Sequence, residues 1–171
     1  MNLIKDAEED FHRPRLAGLA EYLLSKTKFK YEFFSPPTLD LYMIQLSLDD
    51  ETHVAVNYLP VELNEELPFL FLQLYCTVAD EISKTSADLI NYILFANNNT
   101  MLSAFYLEAD QVYIKSLITQ QPETDFEYDV FMFHLNLFQN NLKDHQGSIR
   151  SIIKGSMTCA EAIDAYQKMR A

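Results

Sequence analysis

Glycine is almost missing from this chain: three occur in 171 residues, at Gly18, Gly147 and Gly155. None stands at a strand-to-helix turn with the spacing of a phosphate loop or a dinucleotide fingerprint, which excludes nucleotide chemistry on those scaffolds. No serine occupies a Gly-x-Ser-x-Gly elbow, so the hydrolases built on that turn are excluded too. Tryptophan is absent, and the two cysteines are Cys76 and Cys159. Cys76 sits in an apolar strand-like run and Cys159 at a helix start, and both read as reduced, packed thiols rather than a disulfide. Basic residues are scarce, 13 Lys and Arg against 25 Asp and Glu, for a net charge of −12. Such a field repels a phosphate backbone and an anionic membrane surface, so neither nucleic acid nor membrane is expected as a partner. It favours basic or polar polypeptides instead. No uninterrupted apolar run approaches the length of a membrane span. The opening MNLIKDAEED turns acidic at once and does not follow the basic-then-apolar layout of a signal peptide. The expected location is the cytoplasm.

What remains is ordinary core material, 49% hydrophobic and 13% aromatic, almost all Phe and Tyr. A chain this long is one domain by the usual size prior. It buries roughly 70% of its unfolded surface and needs no disulfide or metal staple. We read residues 1–171 as a single domain, with 143–171 as a helical extension.

Leu16, Leu19, Ala20 and Leu23 share a helical face, which predicts a first helix over Pro14–Lys26. The residues before it are expected to add a turn or two, with a kink or break at Pro14. Phe29–Phe34 is a short alternating strand candidate ended by Pro36-Pro37. Leu39–Leu48, Thr52–Leu59 and Phe69–Val78 are strands, separated by the acidic turn at Asp49-Asp50-Glu51 and by the VELNEEL loop. Thr85 or Ser86 caps a helix over Ser86–Asn97, and Asn97-Asn98-Asn99 ends it through the left-handed conformation that Asn tolerates. Met101–Leu107 and Val112–Ile118 form a hairpin about Glu108-Ala109-Asp110-Gln111. Thr124 and Glu127 form a capping box that opens a helix with a wide apolar band, Phe126 to Leu142. Gly147 breaks that helix, and Thr158 with Glu161 caps a last one. The order is α-β-β-β-α-β-β-α plus a C-terminal helical extension. That makes the fold α+β, with a mainly antiparallel sheet and segregated helices.

Chemistry is sparse. No two of His12, His53, His134 and His145 share a helix at metal-ligand spacing. His134 and Cys76 could pair as base and nucleophile only by meeting in space, and no neighbour in sequence activates either. The acidic clusters follow no calcium-loop spacing and read as solvated turns and caps. No cofactor, metal or catalytic residue is assigned, and the chain is read as a non-enzyme. The strand aromatics are the more interesting group. Tyr42, Tyr58, Phe69 and Phe71 are the candidate protein-binding residues, because Tyr and Phe are enriched where surfaces recognise proteins and open sheets accept added strands. Ile90, Ile93 and Leu94 are the candidate dimer interface.

The helix–hairpin–helix segment resembles the type III secretion chaperone superfamily, including the CesT-like chaperones and the related YbjN-like proteins. The residues that carry the resemblance are Ile90, Ile93, Leu94, Ala96 and Asn97 on the helix, then Tyr106-Leu107-Glu108-Ala109-Asp110 and Val112-Tyr113-Ile114 on the hairpin. Phe126, Phe131, Leu135 and Phe138 follow on the last helix. The match covers about a third of the chain, and the hairpin glycine common in the family is absent. The resemblance implies a homodimer that holds an extended segment of a client polypeptide without catalysis. The YbjN-like relatives imply a regulatory role instead. A small enzyme with a spatially assembled His/Cys or carboxylate site is the alternative from a different class.

Overall fold

The computed structural model describes residues 3–34, 43–49, 52–59, 69–80, 82, 85–121 and 126–171, without the side chains of 3–13 and 34. Its elements are α1 (Leu3–Lys26), β1 (Lys30–Phe34), β2 (Met43–Ser47), β3 (His53–Tyr58), β4 (Leu70–Ala79), α2 (Ala87–Asn99), β5 (Ala104–Glu108), β6 (Gln111–Gln120), α3 (Tyr128–Ile153) and α4 (Cys159–Arg170). The fold is α+β, and the six strands form one sheet in the order β1-β2-β3-β4-β6-β5. The pairs β1–β2, β2–β3, β3–β4 and β5–β6 are antiparallel. Four strands precede α2, because the short aromatic run at Lys30–Phe34 pairs fully with β2. The chain divides into two compact units: unit 1 is Met1–Tyr75 with Leu117–Met132, and unit 2 is Cys76–Ser116 with Phe133–Ala171. The strands β4 and β6 and the helix α3 each contribute residues to both.

In unit 1 the strand register places one apolar set on one face. Ile44 lies opposite Val56, and Val56 opposite Leu74; Leu46 lies opposite Val54, and Tyr58 opposite Leu72. All are buried, as are Leu16, Leu19, Ala20 and Leu23 on α1. The period of two on the strands and of 3.6 on the helix is what makes these sets possible. The helix is continuous through Pro14, where a kink or break was expected, so the chain does not break there. The apolar stripe that follows the proline is buried along its whole length, which outweighs the one hydrogen bond a proline removes.

In unit 2 the helix α2 is capped by Ser86, whose Oγ accepts the amide of Leu89 at 3.1 Å. The helix continues through all three asparagines to Asn99, with Thr100 extended as its C-cap. The left-handed conformation expected of an asparagine falls instead on Leu102, at φ 58°. A second positive φ, 52°, is at Ala109 in the two-residue turn between β5 and β6. The capping box of Thr158 and Glu161 is formed as expected and opens α4. Its hydrogen bonds from Thr158 hold the Glu161 carboxyl below its ordinary range.

Two features of α3 depart from expectation. Thr124 and its capping box lie outside the described residues, as do Pro36-Pro37, VELNEEL and Tyr42, but Phe126 and Glu127 are not helical and α3 opens only at Tyr128. Nor does Gly147 break the helix, which runs to Ile153. Leu142, His145, Ile149 and Ile152 flank the glycine as one buried stripe, and burial overrides a local propensity deficit of about 1 kcal/mol.

Candidate functional site

The candidate residues separate sharply by exposure. Tyr58 is only 2% exposed. Its phenol donates to Oε1 of Gln120 at 2.9 Å and also bonds the Arg15 guanidinium. Burial drives its pKa up to about 12 against the opposing pull of Arg15. Tyr58 therefore anchors the core of unit 1 and is withdrawn from the proposed docking set. Its partners in the register, Val56 and Leu72, explain why: position 58 continues the buried face of β3. Phe69 and Phe71 are half-buried. Phe71 shares a face of β4 with Gln73 and Tyr75, opposite the buried Leu70, Leu72 and Leu74. The dimer candidates split in the same way. Ile93 is buried at 7%, whereas Ile90 and Leu94, one turn apart, are 46% and 58% exposed.

Immediately after α2 comes a loop of unit 2 that several side-chain hydrogen bonds tie down. Thr100 Oγ1 donates to the carbonyl of Ser103 at 3.0 Å. The buried Ser116 donates its Oγ hydrogen to the carbonyl of Leu102 at 2.5 Å. The buried Asn141 donates to the carbonyl of Met101 at 3.0 Å and to Ser103 Oγ at 2.7 Å. Just beyond, Asn97 grips both backbone groups of Phe105, accepting its N–H at 2.6 Å and donating to its C=O at 2.9 Å. The loop so held carries two large apolar side chains outward, Met101 at 65% and Leu102 at 50% exposure. A leucine in the left-handed region costs about 1 kcal/mol or more, and here the side chain recovers little of that by burial. Nothing in the periodicity of the sequence announces this loop. The one available signal is an apolar pair, Met101-Leu102, placed directly after three asparagines.

The histidines find structural roles. Nδ1 of His134 lies 3.2 Å from Ser116 Oγ, and burial lowers its pKa. Ser116 already spends its hydrogen on Leu102, so the imidazole faces a hydroxyl committed to holding the loop. His145 is 1% exposed, with Nδ1 3.1 Å from the phenol of Tyr92 and its ring stacked on Tyr166 at 4.8 Å. Phe95 and Phe105 meet it edge-on. Burial drives its pKa down to about 4, with Asp144 opposing and Arg170 reinforcing. Cys159 stands at the start of α4, yet burial and the charge of Asp88 raise its pKa, the reverse of an activated thiol. Among the described residues no group of three or more His, Cys, Asp or Glu could hold a metal ion.

The charge is unevenly shared. Unit 1 carries 17 acidic and 6 basic residues, unit 2 carries 8 and 7, so eleven of the twelve net negative charges belong to unit 1. Among the described residues, no helix is long and apolar enough to cross a membrane.

Taken together these features define an α+β protein with apolar side chains held outward on a near-neutral region and an acidic second region. No protein-family model and no curated protein matches the chain.

Proposed function

We propose that the chain is a non-enzymatic polypeptide-binding module, a dimeric chaperone or adaptor that holds an extended segment of a client. The observation that carries this reading is the loop Thr100–Ser103, where buried polar side chains hold a strained leucine with its side chain in solvent. Strain of that kind persists where the surroundings over-determine it, and an outward apolar pair gains its free energy only when a partner covers it. Near-neutral unit 2, with Ile90, Leu94, Met101 and Leu102 exposed, suits a second copy of the same chain. Acidic unit 1, with Phe71 and Tyr75 half-open on β4, suits a basic extended segment.

The test is the oligomeric state by light scattering at micromolar concentration. The wild-type chain is expected to be a dimer, and Leu102→Asp a folded monomer. The substitution places a carboxylate where a second copy would pack, and Asp tolerates the left-handed conformation better than Leu. A wild-type monomer, or a Leu102→Asp dimer of unchanged affinity, would overturn the pairing. Binding of an unstructured basic peptide, weakening as salt rises, is the expected result for unit 1.

A further inference from the structure

The hydrogen-bond phase of the sheet fixes which backbone groups of β1 look outward. Leu48 donates its N–H to the carbonyl of Thr52 at 2.9 Å, which continues the β2–β3 register. In an antiparallel ladder the bonding side alternates from residue to residue, so Ile44, Leu46 and Leu48 bond β3, and Met43, Gln45 and Ser47 bond β1. Their partners on β1 are Phe34, Glu32 and Lys30. The N–H and C=O of Tyr31 and Phe33 therefore point away from β2, and β1 is an end strand of the sheet. The strand at the other end, β5, is partly closed, because Asn97 already takes both backbone groups of Phe105. An edge of unpaired N–H and C=O groups is a template for another strand.

The side chains along this edge decide which strand fits. Tyr31 and Phe33 share the face of the buried Leu46 and Ile44, and Phe29 precedes them at the same period of two. Lys30 and Glu32 lie on the other face, both exposed, opposite the uncharged Ser47 and Gln45. An antiparallel second copy of β1 could bond through the outward groups in several registers. Centring the pair on Glu32 or on Lys30 sets that residue against its own copy, a like-charge pair directly opposite. Centring it on Phe33 sets Glu32 against Phe34. Centring it on Tyr31 sets Lys30 of each copy against Glu32 of the other, with Phe29 against Phe33 across the apolar face. Of these registers, that one alone pairs opposite charges and aromatic rings together. Lys26, Lys28 and Lys30 are half of the six basic residues of unit 1, so they offset its acidic charge beside this strand. A two-fold pairing uses the same edge in both copies and stops at two.

We propose that the β1 edge is a contact between two copies of this chain, antiparallel about a two-fold axis at Tyr31 and separate from the unit 2 surface. One short strand from each copy buries less than about 1,200 Å², so a dissociation constant on the order of 100 µM is expected. The experiment is sedimentation equilibrium of the full chain carrying Leu102→Asp, which removes the unit 2 contact, from about 10 µM to about 1 mM. Passage from monomer to dimer over this range is expected. Amide exchange at Tyr31 and Phe33 should slow in the dimer, with exchange at Glu32, which already bonds β2, unchanged. Lys30→Glu and Glu32→Lys, both at exposed positions, each set like charges across the axis and are expected to weaken association about tenfold or more. Mixing the two variants in equal amounts, or combining both changes in one chain, restores opposite charges and is expected to restore association. Phe33→Pro removes an outward donor, leaves the β1–β2 ladder intact and is expected to abolish pairing. No dimer at the highest concentration, or equal association by Lys30→Glu, by Glu32→Lys and by their mixture, overturns the proposal. Micromolar dimers of the wild-type chain with no further step at the highest concentration sink this contact alone. A wild-type chain that is monomeric at micromolar concentration yet pairs through Tyr31 at millimolar concentration sinks the unit 2 dimer and spares this one.

Discussion

Unit 1 closes its core with aliphatic side chains, Ile44, Val54, Val56, Leu72 and Leu74 against Leu16, Leu19 and Leu23. Unit 2 closes its core around an imidazole, with His145 among Tyr92, Phe95, Phe105 and Tyr166. The surfaces differ in the opposite sense. Unit 1 carries nearly all the negative charge, and its exposed large apolar residues among those described are Leu24, Phe33, Leu117 and Val130. Unit 2 is nearly neutral and exposes Ile90, Leu94, Met101, Leu102, Tyr106, Phe133 and Met169. Apolar exposure and low charge therefore coincide in unit 2, the combination expected of a surface that meets another protein rather than water. Buried polar groups are also used differently. In unit 1 the Arg15–Tyr58–Gln120 chain ends in an unspent donor. In unit 2 Ser116, Asn141 and Asn97 are spent on backbone groups in and beside an exposed loop.

The largest test of the contrast is Phe105→Ala. Phe105 is 2% exposed and meets the His145 ring at a centroid distance of 5.6 Å. Its loss is expected to cost about 3–5 kcal/mol by denaturant unfolding, because the cavity forms beside a histidine that cannot move to fill it. Hydrogen exchange should show the extra opening in α2, β5 and α4, with β2 and β3 protected as before. Equal loss of protection in β2 and β3 would mean that the two units do not open separately.

Acid should act on unit 2 with a smaller effect. His145 has a pKa near 4 in the folded chain and an ordinary value near 6.5 when unfolded. Between those values the unfolded state binds a proton that the folded state refuses. The contribution is thus complete above pH 6.5, is lost as pH falls towards 4, and changes no further below that. The loss amounts to about 3 kcal/mol at most. His145→Phe is expected to flatten this part of the stability–pH profile. A profile of unchanged shape in that variant would remove His145 as the cause.

Much of this architecture was legible from the residues. The strands follow the alternation of Ile44, Leu46, Val54 and Val56, and α4 follows its capping box, because period and cap are local signals that tertiary packing reinforces. The site was much less legible. Tyr58 and Phe71 look alike in sequence, yet register puts one inside and leaves the other half-open, and register depends on pairing partners far along the chain. The strained Leu102 could not be read locally, since nothing in Asn99-Thr100-Met101-Leu102 says that Ser116 and Asn141 will hold it. The contact of Tyr58 with Gln120, 62 residues further along the chain, is likewise one that only folding assembles.

The smallest expected effect is at Gly147, and it separates local propensity from packing within unit 2. The glycine lies on the exposed side of α3, and a Cβ built there meets nothing within 4 Å. Its neighbours Leu142, His145, Ile149 and Ile152 hold the helix from the buried side. Replacing it by alanine removes backbone freedom from the unfolded chain and adds no contact to the folded one. Gly147→Ala is therefore expected to stabilise the protein by about 0.5–1 kcal/mol, with dimer affinity and the acid profile unchanged. Loss of stability would mean that the glycine accommodates a partner against that face of α3. A surface of that kind would extend the contact area of unit 2 beyond α2 and the Met101-Leu102 loop.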